Sequence, residues 1–440
     1  MENTKRITPP YPVWYDGKKI NEPLFCECFI RKHPLAYTGN SFFTVDGILS
    51  DLSVLRRWIF EELKPYIATN VSKKIESIVS LLKIQANTSD LPPLTDQIHV
   101  QNGTLFLDGT FTEEKAEIVR SRFPIRYNPN AESPTRWLQF LSDLLWPEDI
   151  STLQEFIGYC LIPSNAGQKM MVIKGNGGEG KSQIGNVLSQ LFGSSAKDGS
   201  VGKISENQFA RADLEHVHLL IDDDMRLEAL KQTNYVKSIV TAKGKMDLER
   251  KGVQSYQGYM YARILAFSNG DLVSLYDQSD GFFRRQLMLE TKRKPQDRID
   301  DPFLSDKIST ELEGIFNWAF DGLQRLEKNN YHFTESERSR TIWERVRKEA
   351  NNIELFMDST GYISHDPDLS ITSKQLFDTY CSWCEINAYS ATKQKTFVNH
   401  LNSNAEKYGI QYTTHLLNAQ GQEVRGFKGI SSCVFPQGCS

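Results

Sequence analysis

The chain has 440 residues, 39% hydrophobic and 24% charged, and 51 Lys and Arg against 55 Asp and Glu give a net charge of −4. That length predicts two to four domains, and the acidic balance excludes a nucleic-acid role resting on overall charge, so any basic surface must be local. The opening "MENTKRITPPYPVWYDGKK" lacks the apolar core of a signal peptide, and no apolar run approaches the ~20 residues of a membrane span. Seven scattered cysteines suit a reducing compartment. The pair Cys381 and Cys384 has no second pair at zinc-ligand spacing and reads as a helix packing face.

Residues 1–95 carry two helical patterns. "DLSVLRRWIFEELKPYI" places Leu52, Leu55, Ile59 and Leu63 on one face, and "VSKKIESIVSLLKIQA" does the same with Val71, Ile75, Ile78 and Leu82. "NTSDLPPLTDQ" reads as a linker, and "IHVQNGTLFLDG" predicts a strand–turn–strand around Asn102-Gly103. In "YNPNAESPTRW", Ser133 or Thr135 stands where a helix striped by Trp137, Phe140 and Leu144 would start. From about 151, helical stretches alternate with the apolar runs "MMVIKG", "HVHLLIDDD", "YARILAFSNG" and "RQLMLE". Strands spaced by helices predict a parallel sheet in an α/β domain, closed by the amphipathic "ELEGIFNWAFDGLQRLEKN". The last ninety or so residues read helix, helix, helix, hairpin, which is winged-helix order.

"GNGGEGKS" fits G-x-x-x-x-G-K-[ST] from Gly175 to Ser182. Gly175, Gly177, Gly178 and Gly180 would let the backbone turn tightly enough for its N–H groups to converge on phosphate. Lys181 would reach the β- and γ-phosphates of ATP, and Ser182 would offer a hydroxyl to Mg²⁺. Asn176, Glu179 and Gln183 complete the candidate nucleotide-contacting set. A glycine turn matching by chance is the alternative, but a strand before and a helix after favour a nucleotide site. The run "HLLIDDDM" ends a strand on Asp222, Asp223 and Asp224. Either Asp222–Asp223 or Asp223–Asp224 would be the working pair, with Ser182, Asp222 and Asp223 the candidate metal holders. "ILAFSNG" ends at Asn269, placed to sense the γ-phosphate, although Ser-Asn-Gly is also ordinary turn chemistry. Arg284 and Arg285 in "DGFFRRQLMLE" stand just before a strand, where such a pair is usually a solvated edge.

Taken in order, "GNGGEGKS", "LLIDDD", "KGKMDLERKG", "LAFSN" and "GFFRR", all between residues 175 and 285, resemble the superfamily 3 helicases. Upstream, "NGTLFLDG", "YNPNAESPTRWLQFL" and "LQEFIGYCLIP" look like the region before the helicase in phage, plasmid and satellite-element primase-helicases. Downstream, "LFDTYCSWCEINAYSATKQKTFVNHL" is similar to that family's winged helix. More narrowly, the chain resembles the replication initiator helicases of staphylococcal pathogenicity islands.

The resemblance implies an α/β AAA+ P-loop ATPase core with a parallel sheet, working as a hexameric ring that moves 3′ to 5′ on single-stranded DNA. The expected parts are a mostly helical 1–95 that assists origin binding or ring assembly, a collar at 96–150, the helicase domain with its lid at 151–345, and a winged helix at 346–440 that binds duplex DNA or, alternatively, another protein. An arginine at position 284 or 285 would act on a neighbouring subunit's γ-phosphate. The segment before "LAFSN" would be a hairpin in the channel, with Lys251 at its tip and Arg250 beside it. That segment holds Lys243, Lys245, Arg250 and Lys251 against Asp247 and Glu249, a local charge of +2 that six copies would make a basic channel. The chain departs from the family pattern in "AKGK", where Gly-Asp is frequent, and in Gly252, where some viral relatives carry a histidine.

In the winged helix, Lys393, Lys395 and Asn399 would face duplex DNA, with Arg425 and Lys428 on the wing. About 95 residues precede the shared region, which predicts no primase domain. The expected partners are single-stranded, forked and origin DNA, further copies of the chain, and host or element-encoded replication proteins in the bacterial cytoplasm; no membrane is involved. The competing reading is a DNA-binding regulator switched by ATP without translocation. A small-molecule kinase would share the phosphate loop but has no use for the flanking domains.

Overall fold

The computed structural model describes residues 11–225, 233–269, 280–298, 300–350, 352–387, 389, 391–417 and 421–433. Among these, residues up to 339 form one compact unit and residues from 340 form another.

The first unit opens with α1 (Glu22–Lys32), capped by the Asn21 side chain, which accepts from the Leu24 N–H. A small antiparallel meander follows: β1 (Ala36–Thr38), β2 (Ser41–Thr44) and β3 (Gly47–Ile48). Then come α2 (Leu52–Leu63) and α3 (Val71–Gln85). The periodicity predicts α2 and α3 but neither α1 nor the meander. Leu55, Ile59, Leu63, Ile78 and Leu82 do enter a core, joined there by Phe25, Phe29 and Phe42.

The strand–turn–strand forms as β4 (Gln97–Val100) and β5 (Gly103–Phe106), which β6 (Phe111–Thr112) extends. Next are α4 (Thr135–Leu144) and α5 (Pro147–Tyr159). Neither Ser133 nor Thr135 caps α4. The Glu311 carboxylate, distant in sequence, accepts the first-turn N–H groups of Arg136 at 3.0 Å and Trp137 at 3.2 Å, so tertiary contact satisfies donors that a local hydroxyl usually takes.

The remaining elements of this unit are β7 (Met170–Lys174), α6 (Lys181–Phe192), β8 (Ala196–Asp198), α7 (Val201–Glu206), α8 (Gln208–Ala212), β9 (Leu219–Asp222), α9 (Thr233–Val240), β10 (Gly244–Leu248), β11 (Tyr256–Met260), β12 (Arg263–Ser268), α10 (Asp280–Phe283), β13 (Gln286–Glu290), α11 (Leu304–Ser309) and α12 (Leu312–Lys328). Five strands make one parallel sheet in the order β13-β7-β12-β9-β8, with helices around it. This is an α/β core. Four of its strands, β13, β7, β12 and β9, are the apolar runs that the sequence pattern predicts, whereas the three-residue β8 at one edge is too short to show a pattern. A single buried cluster runs from Ile98 to Leu323 and includes Trp137, Phe156, Ile173, Phe267 and Phe316, so α4 and α5 share the interior of the sheet. Helix α12 lies close on α5, and a Cβ added to Gly158 would stand 2.2 Å from the Ala319 carbonyl oxygen.

Helix α13 (Glu337–Ala350) leads into the second unit, which contains α14 (Asn352–Met357), β14 (Ile363–Thr372), α15 (Ser373–Ile386), α16 (Gln394–Ser403), β15 (Gln411–Leu417) and β16 (Glu423–Ser432). Its antiparallel sheet has the order β14-β16-β15, and β14 is a strand that the pattern does not predict. Phe356, Tyr380, Trp383, Phe397 and Phe427 form the core, with Cys384 buried in it and Cys381 against it. Of the hairpin turn "NAQGQ" at 418–422, residues 418–420 lie outside the described residues. Among the described residues no helix is long and apolar enough to cross a membrane.

Candidate functional site

Three adjacent parallel strands end side by side. After β7 comes the glycine loop, after β12 comes Asn269, and after β9 come Asp223 and Asp224. In open α/β sheets, ligands bind outside these carboxyl ends. A cavity of about 910 Å³ lies here, lined by Gly178, Gly180, Lys181, Ser182, Gln183, Asp223, Asp224 and Asn269.

The loop geometry explains its glycines. Gly177, Gly178 and Gly180 have φ of 98°, 80° and 101°, a region that side chains strain to enter. A Cβ on Gly175 would sit 2.4 Å from Lys181 Nζ. Lys181, 6% exposed, donates to Asn269 Oδ1 at 2.8 Å and to Glu179 Oε2 at 3.0 Å. Glu179 is itself buried, and its carboxylate accepts the N–H groups of Asn176 at 2.5 Å and Gly177 at 3.0 Å. Burial alone would raise its pKa, but the Lys181 and Asn176 bonds hold it below the usual range. The nine candidate loop residues therefore do not all act alike: Glu179 turns its anion into the loop. Nothing in the spacing separates it from its neighbours.

The three aspartates are also divided. Asp222 is 5% exposed and accepts from the Val201 N–H at 2.7 Å, which ties β9 to the start of α7. Burial pushes its carboxyl up. It does not line the cavity, whereas exposed Asp223 and Asp224 do. Asp222 is the last residue paired in β9, and the chain turns after it. Of the expected metal holders, Asp222 thus bonds to the backbone at the start of α7, while Ser182 and Asp223 line the cavity. Arg284 is exposed and Arg285 is partly buried, donating to the Gly281 carbonyl, and neither lines the cavity. Sequence reasoning misses the opposite wall, where α4 and the region around α11 supply Phe140, Leu144, Arg136 and Arg298.

Strands β10 and β11 form the expected hairpin, in register from Gly244↔Met260 to Leu248↔Tyr256. Lys243 and Lys251 are exposed. The other two cations are tied down. Arg250 donates to Tyr256 Oη at 2.8 Å and to Glu215 Oε2 at 3.1 Å. Lys245 donates to Asp90 Oδ2 at 3.1 Å, and Tyr259 donates its hydroxyl to the same oxygen at 2.7 Å. At the hairpin's base, the His216 ring meets Arg120 at 2.9 Å, while His218 lies between Ser121 Oγ at 2.8 Å and the Cys160 carbonyl at 3.1 Å. Burial, aided by neighbouring arginines, depresses both histidines to about 3 and the nearby His99 to about 4.

In the second unit, Lys393 precedes α16, and Lys395 and Asn399 are exposed on it, away from buried Phe397 and Leu401. Arg425 and Lys428 are exposed on β16. Among the described residues, no group of three or more His, Cys, Asp or Glu is placed to hold a metal ion.

A family of unknown function, DUF5906, matches residues 173–285, which spans the loop, the hairpin and the arginine pair. Solved structures of the apo C-terminal region of NrS-1 share the fold. One covering its residues 305–718 has a TM-score of 0.51 at 12% identity, over 93% of this chain and 100% of that one. A second has a TM-score of 0.51 at 14% identity over the same shares. A third has a TM-score of 0.52 at 14% identity, over 92% of this chain and 99% of that one. No curated protein matches the chain.

Proposed function

We propose that the chain is an ATP-dependent 3′-to-5′ DNA helicase of superfamily 3 and the replication initiator of a mobile genetic element, with an AAA+ P-loop core acting as a hexameric ring. The observation that carries this reading is the convergence of Lys181, Ser182, Asn269, Asp223 and Asp224 on one cavity at the carboxyl ends of three parallel strands. The cavity has room for a nucleoside triphosphate, and the loop's N–H groups and Lys181 suit its phosphates. The Ser182 hydroxyl with Asp223 and Asp224 is a hard-oxygen donor set of the kind that takes Mg²⁺. Bound there, the ion would neutralise phosphate charge. Asn269, now on Lys181, is placed to orient an attacking water, and Asp223 or Asp224 to take its proton.

Arg284, exposed and outside its own subunit's cavity, suits a role in trans on a neighbouring copy. Lys251 and Lys243 on the hairpin would carry single-stranded DNA, and α16 with β16, read as a winged helix, would hold origin duplex. Such a protein would work in the cytoplasm of a bacterial host, with host or element-encoded replication proteins as further partners. Strand displacement on forked DNA bearing only a 3′ or only a 5′ tail, with ATP and Mg²⁺, tests the reading. Unwinding that requires the 3′ tail is expected, and unwinding that requires the 5′ tail would overturn it.

One observation favours the alternative of an ATP-switched DNA-binding regulator: Arg250 and Lys245 are already paired within the chain. ATP hydrolysis indifferent to single-stranded DNA would support that alternative.

A further inference from the structure

Residues 11–95, which line no part of the nucleotide cavity, hold a second cavity, of about 580 Å³, between α3 and the segment before α1. Its lining includes Lys18, Lys19 and Lys73 and the rings of Tyr15 and Tyr66. Elsewhere in this region Lys32 pairs with Glu62, Lys64 with Glu61 and Arg56 with Glu76. Glu22, the carboxylate lining this cavity, is taken by Lys74 at 2.5 Å and by the Ser77 hydroxyl at 2.5 Å. Among the described residues, Lys18, Lys19 and Lys73 make no such pair, and all three are exposed. Like charges gathered around one concavity repel each other, and an anionic ligand would relieve that repulsion.

The turn that presents Lys18 and Lys19 is a fixed one. Asp16 Oδ1 accepts the backbone N–H groups of Lys18 at 2.8 Å and Lys19 at 2.6 Å, and Tyr15 bridges to Ile20. Gly17, at φ 91°, allows the bend. The tyrosines are held as firmly: the Tyr66 ring lies 5.1 Å from that of Tyr15 and 5.0 Å from buried Trp14. Both tyrosines remain partly exposed to the cavity. Ammonium groups around an aromatic floor match the chemistry of a sugar–phosphate chain with unstacked bases. A duplex hides its base faces, and an acidic peptide has no use for the rings.

We propose that this pocket binds single-stranded nucleic acid, with phosphates on Lys18, Lys19 and Lys73 and a base against Tyr15 and Tyr66. The choice of ligand rests on the reading of the chain as a protein that acts on DNA; the site itself is separate from the nucleotide cavity and the hairpin. Binding of fluorescein-labelled oligo(dT) to the full chain, without nucleotide and across a salt series, tests it. In the combined variant Lys18→Gln, Lys19→Gln, Lys73→Gln, three phosphate contacts are lost. The slope of log affinity against log salt should then flatten by about 2, at about 0.7 per contact for a single strand. Tyr15→Leu should weaken oligo(dT) about fivefold or more while leaving an abasic oligomer of the same length unchanged.

An unchanged salt slope in the lysine variant would overturn the site, and so would a loss confined to duplex DNA. ATP hydrolysis measured on the same preparations separates the two claims. Absence of hydrolysis in the wild type would sink the helicase reading, whereas the salt slope alone decides this pocket.

Discussion

The glycine loop and the hairpin both hold cations against carboxylates, but they draw on different parts of the chain. In the loop, Lys181 meets Glu179 two residues away and Asn269 at the next strand's end. In the hairpin, Lys245 meets Asp90 and Arg250 meets Glu215, 155 and 35 residues distant. The first arrangement keeps a cation and a set of N–H donors ready inside a cavity. The second fastens a projecting element to the body of the unit. The loop's cation is buried and the hairpin's two are exposed, so the two regions differ in how readily solvent or a ligand can compete for their cations.

The largest effect is expected at the loop. Lys181→Ala should lower ATP hydrolysis by about 10²–10³-fold in a chain that still folds by circular dichroism, since a positioned charge facing phosphate is lost; normal turnover would remove the site assignment. Lys251→Ala should abolish strand displacement and leave basal hydrolysis within about twofold of wild type. Equal unwinding by the two proteins would reject the tip's role.

Acidification probes the hairpin's mount. His99, His216 and His218 have folded pKa values depressed to about 4, 3 and 3, below the ~6.5 of an unfolded chain. Between those values the unfolded state binds more protons, so stability present above about pH 6.5 is lost progressively as pH falls toward 3–4. Melting temperature should therefore drop steadily from pH 7 to 5, and replacing His218 with Gln should flatten that slope. A pH-independent melt would show that these rings are not held neutral.

Two smaller substitutions sharpen the contrast. If Glu179 competes with phosphate for Lys181, Glu179→Gln should tighten triphosphate binding about five- to tenfold, near 1 kcal/mol. Weaker binding in that variant would mean that the carboxylate braces the loop instead. Asp90→Asn, which frees Lys245 but keeps an acceptor for Tyr259, should raise single-strand affinity by at most about fivefold, since exposed pairs contribute up to about 1 kcal/mol. Titration of labelled oligonucleotide reads this directly.

Local pattern alone determined a good deal here. The apolar runs at 170–174, 219–222, 263–268 and 286–290 are strands because each is long enough to show its period and is bounded by turn residues. The loop's glycines could be read because positive φ is a property of single residues. The helices at 52–63, 71–85 and 312–328 were legible from their apolar spacing of three to four, whereas the β10–β11 hairpin was expected only from the family resemblance. Elements of two or three residues such as β3 and β8 carried too little pattern, and β14, whose exposed polar stretch "SHDPD" lacks alternation, gave no strand signal.

Tertiary structure decided what depends on distant partners. It set Glu311 as the cap of α4, placed Phe140 and Arg298 on the far wall of the cavity, and paired Lys245 with Asp90. It also turned Asp222 inward to α7 and left Asp223 and Asp224 to face the cavity. Periodicity reports which face of a residue's own element is buried, whereas an ion pair or a cavity wall depends on which other element arrives there. That is settled only when the sheet and its helices pack.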